Sequence, residues 1–140
     1  MMTTDTPLVL ACGTRMLVGA LKIGDYLVGP NGKPQEITYI AFSKQPCVKV
    51  RHEAQNGWFV CDETHTVFVR TSNQNKSNGM APKPIKLLQE GMKLIVESDE
   101  KISRLKNIFF SGERLVAKII CAPDHMYYAD GVLHKDDLCL

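Results

Sequence analysis

Several things the sequence lacks narrow its range quickly. Its five cysteines (Cys12, Cys47, Cys61, Cys121 and Cys139) are odd in number and include no Cys-x-x-Cys pair, which argues against a disulfide framework or a structural zinc. Most of them lie among apolar residues, as small core side chains do. The formal net charge is only +2, and Lys and Arg are scattered rather than striped, so no nucleic acid partner is expected. No apolar run approaches the length of a membrane span, and no membrane association is expected. The opening stretch, "MMTTDTPLVLACG", is too briefly apolar for a secretory leader, which makes a cytoplasmic location the expectation. No ligand set has metal-binding spacing, so neither metal nor cofactor is expected. Helical periodicity is scarce as well: only "PIKLLQEG" (Pro84 to Gly91) suits a turn or two of helix.

What is present is β structure. "YLVG", "QEITYIAF", "CVKVRH", "GWFVC", "TVFVR", "KLIVE", "NIFF", "RLVAKIIC" and "MYYA" are short runs rich in branched and aromatic residues. Turn signals separate them at Pro30-Asn31-Gly32, Asn56-Gly57, Ser111-Gly112 and Asp130-Gly131. The polar stretch from Arg70 to Pro84 has no periodicity, and residues 71–83 are expected as an exposed loop. At 140 residues the chain suits one all-β domain spanning 1–140.

The chain also repeats itself. "LKIGDYLV" (from Leu21) is echoed by "LQEGMKLI" (from Leu88), "ITYIAFS" by "LKNIFFS", and "CVKV" by "LVAKI", at an offset near 68 residues. Two units of this size cannot each bury a face alone, so they are expected to intertwine into one body.

The order of these segments resembles the Hint family of inteins and hedgehog autoprocessing domains, in its short form without an endonuclease insert. "DTPLVLACGTRMLVGALKIGDYLVGPNGKP" is similar to the N-terminal block, "VCDETHTVFV" to the block that carries a catalytic histidine, and "RLVAKIICAPDHMYYADGVLHKDD" to the two C-terminal blocks. The resemblance implies the Hint fold, with pseudo-two-fold intertwined strands, and self-catalysed protein splicing or peptide-bond cleavage. It implies flanking, extein-like polypeptide as the only partner, a monomeric domain, and a host of phage origin.

Such chemistry needs a thiol or hydroxyl at the first residue to attack the preceding carbonyl, and an imidazole to protonate the departing nitrogen. At the other end an Asn amide cyclises on its own carbonyl. By resemblance, His65 is the block histidine, Asp62 stands where that block usually has Thr, Thr6 is the N-terminal block Thr, and His125 is the C-terminal block His. The departures are informative. With Thr6 so placed, the nucleophile position falls on Met1, whose thioether forms no acyl intermediate. A second register makes Cys12 the nucleophile, and Cys121 offers an internal thiol; a buried core thiol is the plainer reading of either. Lys118 stands where Asp is common. At the close, two spacings remain open: Lys135 at the penultimate His position with Asp136 replacing Asn, or His134 as the penultimate His with Lys135 replacing Asn. Neither supplies an amide, and an exposed, ionised Asp136 is expected to be a poor nucleophile. Residues 137–140 are left as possible flanking sequence. Splicing is therefore expected to be impaired or lost. The competing expectation is a degenerate Hint domain kept as a structural or binding module.

Overall fold

The computed structural model describes residues 1–54, 57–71, 79–96 and 101–139. The expected loop at 71–83 therefore falls largely outside the described residues, as does Asn56 of one expected turn. The remainder of that loop is not irregular: Met80–Pro84 forms a strand.

Among the described residues the strands are, in order, β1 (Met2–Thr3), β2 (Pro7–Val9), β3 (Arg15–Leu17), β4 (Tyr26–Val28), β5 (Pro34–His52), β6 (Trp58–Asp62), β7 (Thr66–Arg70), β8 (Met80–Pro84), β9 (Lys93–Val96), β10 (Lys101–Ala122), β11 (Met126–Ala129) and β12 (Val132–Lys135). The expected all-β architecture is what forms. Helical structure in the described residues is limited to single 3-10 turns at Val18–Ala20, Pro30–Gly32 and Ile85–Leu87. No helix among them is long and apolar enough to cross a membrane.

Two strands dominate. The segments "QEITYIAF" and "CVKVRH" are parts of one 19-residue strand, β5, and "NIFF" and "RLVAKIIC" are parts of the 22-residue β10. The two run antiparallel through most of their length, with register irregularities at three places that let so long a ribbon bend. A second closure seats β1. Met2 stands opposite Ala117 of β10 on one side and Cys61 of β6 on the other, while β6 pairs with β5. Strands β5, β6, β1 and β10 thus form a closed ring. The core inside it includes the fully buried Met2, Phe59, Ile37, Ile119 and Tyr127.

The repeat read in the sequence is a repeat of hydrogen bonds. Gly24 N–H donates to Ile37 O at 2.9 Å, and Gly91 N–H to Leu105 O at 2.9 Å; Ile37 N–H returns to Asp25 O, and Leu105 N–H to Met92 O. Both glycines have positive φ (93° and 86°), a conformation that side chains disfavour. The hairpins that follow match in register: Leu27 lies opposite Gln35 in β4–β5, and Leu94 opposite Ser103 in β9–β10. Upstream, Thr6 O accepts from Val18 N–H at the first 3-10 turn, and His65 O accepts from Ile85 N–H at its twin. Thr6 and His65 are therefore equivalent positions in the two halves, and β2–β3 is the twin of β7–β8. The C-terminal hairpin β11–β12 stands outside this repeat and docks on β7 and β9.

Candidate functional site

The site is assembled where β1 begins, β6 ends and the C-terminal hairpin returns. The Met1 nitrogen, an ammonium in this chain, donates to Asp62 Oδ1 at 2.8 Å and to Asp137 Oδ1 at 2.9 Å, and lies 2.9 Å from His65 Nδ1. Its place is set by the ring closure, since Asp62 N–H also donates to Met1 O at 3.0 Å. Asp62 and His65 face it because they open and close one turn, with His65 N–H donating to Asp62 O and the Thr64 hydroxyl donating to Asp62 Oδ2.

A line of hydrogen bonds runs inward from that nitrogen. His65 Nε2 is 2.9 Å from His134 Nδ1, and His134 Nε2 is 3.1 Å from Ala129 O. A carbonyl only accepts, so His134 carries its proton on Nε2 and accepts at Nδ1. His65 then donates from Nε2, which leaves the Nδ1 lone pair facing Met1 N. Burial favours neutral imidazoles, pushing His134 down to about 3 and His65 well below the ordinary histidine range. The edge of the Phe59 ring packs against His134 with centroids 4.8 Å apart, which fixes the second ring in place.

The charges are balanced unevenly. Burial lowers the affinity of the Met1 ammonium for its proton, but the facing Asp137 and Asp62 carboxylates more than offset this and raise its pKa. Asp137 meets the same burial with a single ammonium and is pushed up despite it. It is anchored by the sheet: Asp137 N–H donates to Ile119 O, and Ile119 N–H donates to Asp137 Oδ2, each at 2.8 Å.

A second cluster adjoins the first. The Asp136 side chain is fully buried and accepts at Oδ2 from Cys121 N–H and from His125 Nδ1, both at 2.9 Å. Asp136 N–H donates to His125 O at 2.9 Å. His125 holds a left-handed backbone, φ 57°, in a turn that Gln35 pins with two bonds of 2.8 Å to Asp124. Lys135 Nζ donates to Asp136 O at 3.2 Å and to Leu138 O at 2.9 Å. A cleft of about 320 Å³, bordered by Met1, Lys118, Lys135 and Asp137, opens over both clusters. A separate, more apolar hollow between Leu8, Arg15 and Tyr128 shares no residue with it.

The structure thus gathers Met1, Asp62, His65 and His134 at one point, and His125 with Asp136 beside it. It does not bring Thr6 there: the Thr6 hydroxyl is buried against that of Thr3 at 2.9 Å, in the turn that is the twin of the His65 turn. Asp137, left as possible flanking sequence, is an integral partner of the Met1 nitrogen. Nothing local in "KDDLC" distinguishes it from Asp136; only its pairing with Ile119 does. Cys12 is exposed in the β2–β3 loop, hydrogen-bonded to Thr14 and away from the cleft. Cys121 is buried, and burial pushes its thiol up to about 12, far from a reactive thiolate.

No family model matches the sequence, and no curated protein matches it. Solved structures do match. The gp41-1 intein is 22% identical, with a TM-score of 0.80 over 96% of this chain and 97% of that one. The Msm DnaB1 intein splicing domain, in a structure bound with zinc, is 22% identical with a TM-score of 0.75, over 97% of this chain and 100% of its own. The Ssp DnaB mini-intein variant M86 is only 11% identical yet reaches 0.80, over 99% of this chain and 95% of that one. Such identities speak for architecture, and nearly complete coverage on both sides leaves no room for a different one: the chain has the Hint fold of the mini-inteins.

Proposed function

We propose that this chain is an intein-like autoprocessing domain that presents a peptide junction at the Met1 nitrogen, and that its splicing is disabled by substitution at both ends. One observation carries the reading: His65 Nδ1 lies 2.9 Å from Met1 N, in the same turn as the buried Asp62. In a precursor acylated at that nitrogen, the scissile amide N–H would face the imidazole lone pair, backed by His134. There the imidazole can take up a proton at Nδ1 and pass it to the departing nitrogen. The nucleophile is what is absent. The Met1 side chain packs against Cys47, Val60 and Val116, and a thioether has no proton to lose. Thr6 supports the site only through the backbone of the twin turn. His125 positions Asp136, which stands where an Asn would cyclise. The partners of such a domain are the polypeptides flanking it.

The test is a fusion with one reporter upstream of Met1 and another downstream of Leu140, followed by intact mass. The unaltered domain should leave the upstream junction whole. Met1→Cys should make that junction cleavable by an added thiol, and adding His65→Ala should stop it. Asp136→Asn or, separately, Asp137→Asn should then release the downstream reporter by cyclisation at whichever position takes the Asn role. A folded Met1→Cys protein whose upstream junction resists thiol would favour the second reading, a Hint domain kept as a structural module, which the lack of a nucleophile at Met1 supports.

A further inference from the structure

The C-terminal hairpin covers one half of the repeat and leaves the equivalent surface of the other half open. Strand β12 pairs antiparallel with β7 at His134 and Val67, and Phe68 and Ile95 are buried with Leu133 against Met126 and Tyr128. The hydrogen-bond repeat supplies the twin of each covered residue. Thr6 matches His65, so Pro7, Leu8 and Val9 match Thr66, Val67 and Phe68. Leu27 matches Leu94, so Val28 matches Ile95. The bridge between Leu10 and Leu27 fixes this alignment, because it is the counterpart of the pairing of Val69 with Leu94. Pro7, Leu8, Val9 and Val28 line the apolar hollow of about 380 Å³ beside Tyr128. That hollow therefore lies where a strand equivalent to β12 would lie.

The hollow differs from its covered twin in size and charge. Valines at positions 9 and 28 stand for the larger Phe68 and Ile95, so the surface has room for a bulkier side chain than Leu133. Arg15 stands opposite Val9 and borders one end. Asp130 borders the other, where its N–H donates to Pro7 O at 2.8 Å. Burial alone pushes the Asp130 carboxyl up to about 6, with no cation beside it to hold it down. Among the described residues neither side chain has an ion-pair partner. Tyr128 packs in the covered cluster and also borders the hollow, so the two surfaces are continuous.

We propose that this hollow binds an extended segment of a partner polypeptide, laid antiparallel to β2, whose aromatic side chain covers Val9 and Val28 and is preceded at two positions by an acidic residue and followed at two by a basic one. The direction is that of β12 against β7. Alternate residues of an extended chain share a face, which brings the acid to Arg15 and the base to Asp130 on the side of the aromatic ring. The surface takes no part in the chemistry at Met1, so it stands or falls separately from autoprocessing.

The test titrates three peptides into the isotope-labelled full chain and follows amide shifts by NMR. They are acetyl-TEAFAKT-amide, the charge-reversed acetyl-TKAFAET-amide of identical composition, and acetyl-TEAAAKT-amide. The first should saturate with shifts at Leu8, Val9, Val28 and Tyr128. Loss of the ring should weaken binding about 10-fold, and reversal of the charges about 5-fold. Val9 and Arg15 are exposed, so variants there keep the fold, which melting curves verify. Val9→Lys should weaken the first peptide about 10-fold by removing the apolar floor. Arg15→Glu should erase the preference between the two charge orders. No saturable shift at about 1 mM, the weak end of specific binding, overturns the proposal. So do equal affinities for the two charge orders in the wild type, or shifts centred on Phe68 and Ile95, which would mean that the peptide displaces the C-terminal hairpin. Self-association of the free protein that Val9→Lys abolishes would overturn it too, since a second copy would then cover this face.

Discussion

At Thr3–Thr6 the fourth N–H returns to the first carbonyl at 3.1 Å; at Asp62–His65 the same bond is 3.2 Å, and each turn then hands its last carbonyl to a 3-10 turn. The two turns are one backbone used twice, and they differ in what they carry. The first closes with two hydroxyls that satisfy each other in the interior. The second carries a carboxylate and an imidazole, neither self-sufficient, and both are completed by the Met1 nitrogen and the C-terminal hairpin. The same contrast recurs at Gln35 and Ser103. Each accepts a turn N–H at 2.8 Å, from Asp124 and Ala54 respectively, but only the Asp124 turn leads to a histidine of the site. Symmetry therefore built the frame, and the site lies where the non-repeated elements, the first residue and the last hairpin, cover one half of it.

Breaking the charged turn should cost far more than breaking its twin. Asp62→Ala leaves a buried ammonium with one carboxylate and should lower stability by about 3 kcal/mol or more in urea unfolding. An effect no larger than that of Thr3→Ala would show that the Asp62 contact is only a surface pair. The ammonium's raised pKa gives this contribution a pH limit: it is full below the ordinary 8.0 and fades as pH rises through the raised value.

Acid should strike the same turn. His65 and His134 have depressed pKa values in the folded state, so the unfolded chain takes up their protons first as pH falls below 6.5. Stability should decline between that pH and about 3, with a limiting slope of about 1.4 kcal/mol per pH unit for each histidine. Chemical denaturation from pH 7 to 4 measures it, and His134→Phe should flatten the decline; an unchanged slope would place the proton uptake elsewhere.

The smallest effects test whether the frame is truly equivalent in both halves. Gly24→Ala and Gly91→Ala each force a side chain into a positive-φ turn that has open space around it, so the cost is conformational, about 1–2 kcal/mol in each case. Melting curves that separate the two widely would mean that the halves share hydrogen bonds but not rigidity. Thr3→Ala, which strands the buried Thr6 hydroxyl, should cost about 1 kcal/mol.

Much of this was readable from the residues. The β-rich runs, most of the turn glycines and the 68-residue echo come from local preference and patterning, and the echo corresponds to matched hydrogen bonds; Ser111-Gly112, expected as a turn, is instead a register shift inside β10. His65 and Asp62 were legible because one short turn holds both. Strand β8 was not: "MAPKP" contains two prolines, which read as loop, yet among the described residues β8 pairs only with β7, and its other edge has no ladder for a proline to interrupt. The length of β5 was hidden by Ser43-Lys44-Gln45-Pro46, whose polar character reflects an exposed mid-ribbon rather than a turn. Asp137 and the neutral His65–His134 relay were beyond reach for another reason. Their partners lie far away in sequence, at Ile119, Met1 and Ala129, and no spacing rule encodes such meetings.

The two-residue strand β1 has a consequence for how the molecule is made. It is made before the strands it pairs with, at Cys61 and Ala117, so its hydrogen bonds must wait for most of the domain. Until then Met2, fully buried in the finished protein, has no partner strand to cover it. Seating it closes the ring and brings the Met1 nitrogen to His65 in the same motion. The cluster around that nitrogen is complete only when the C-terminal hairpin, made after β10, brings His134 and Asp137 to it.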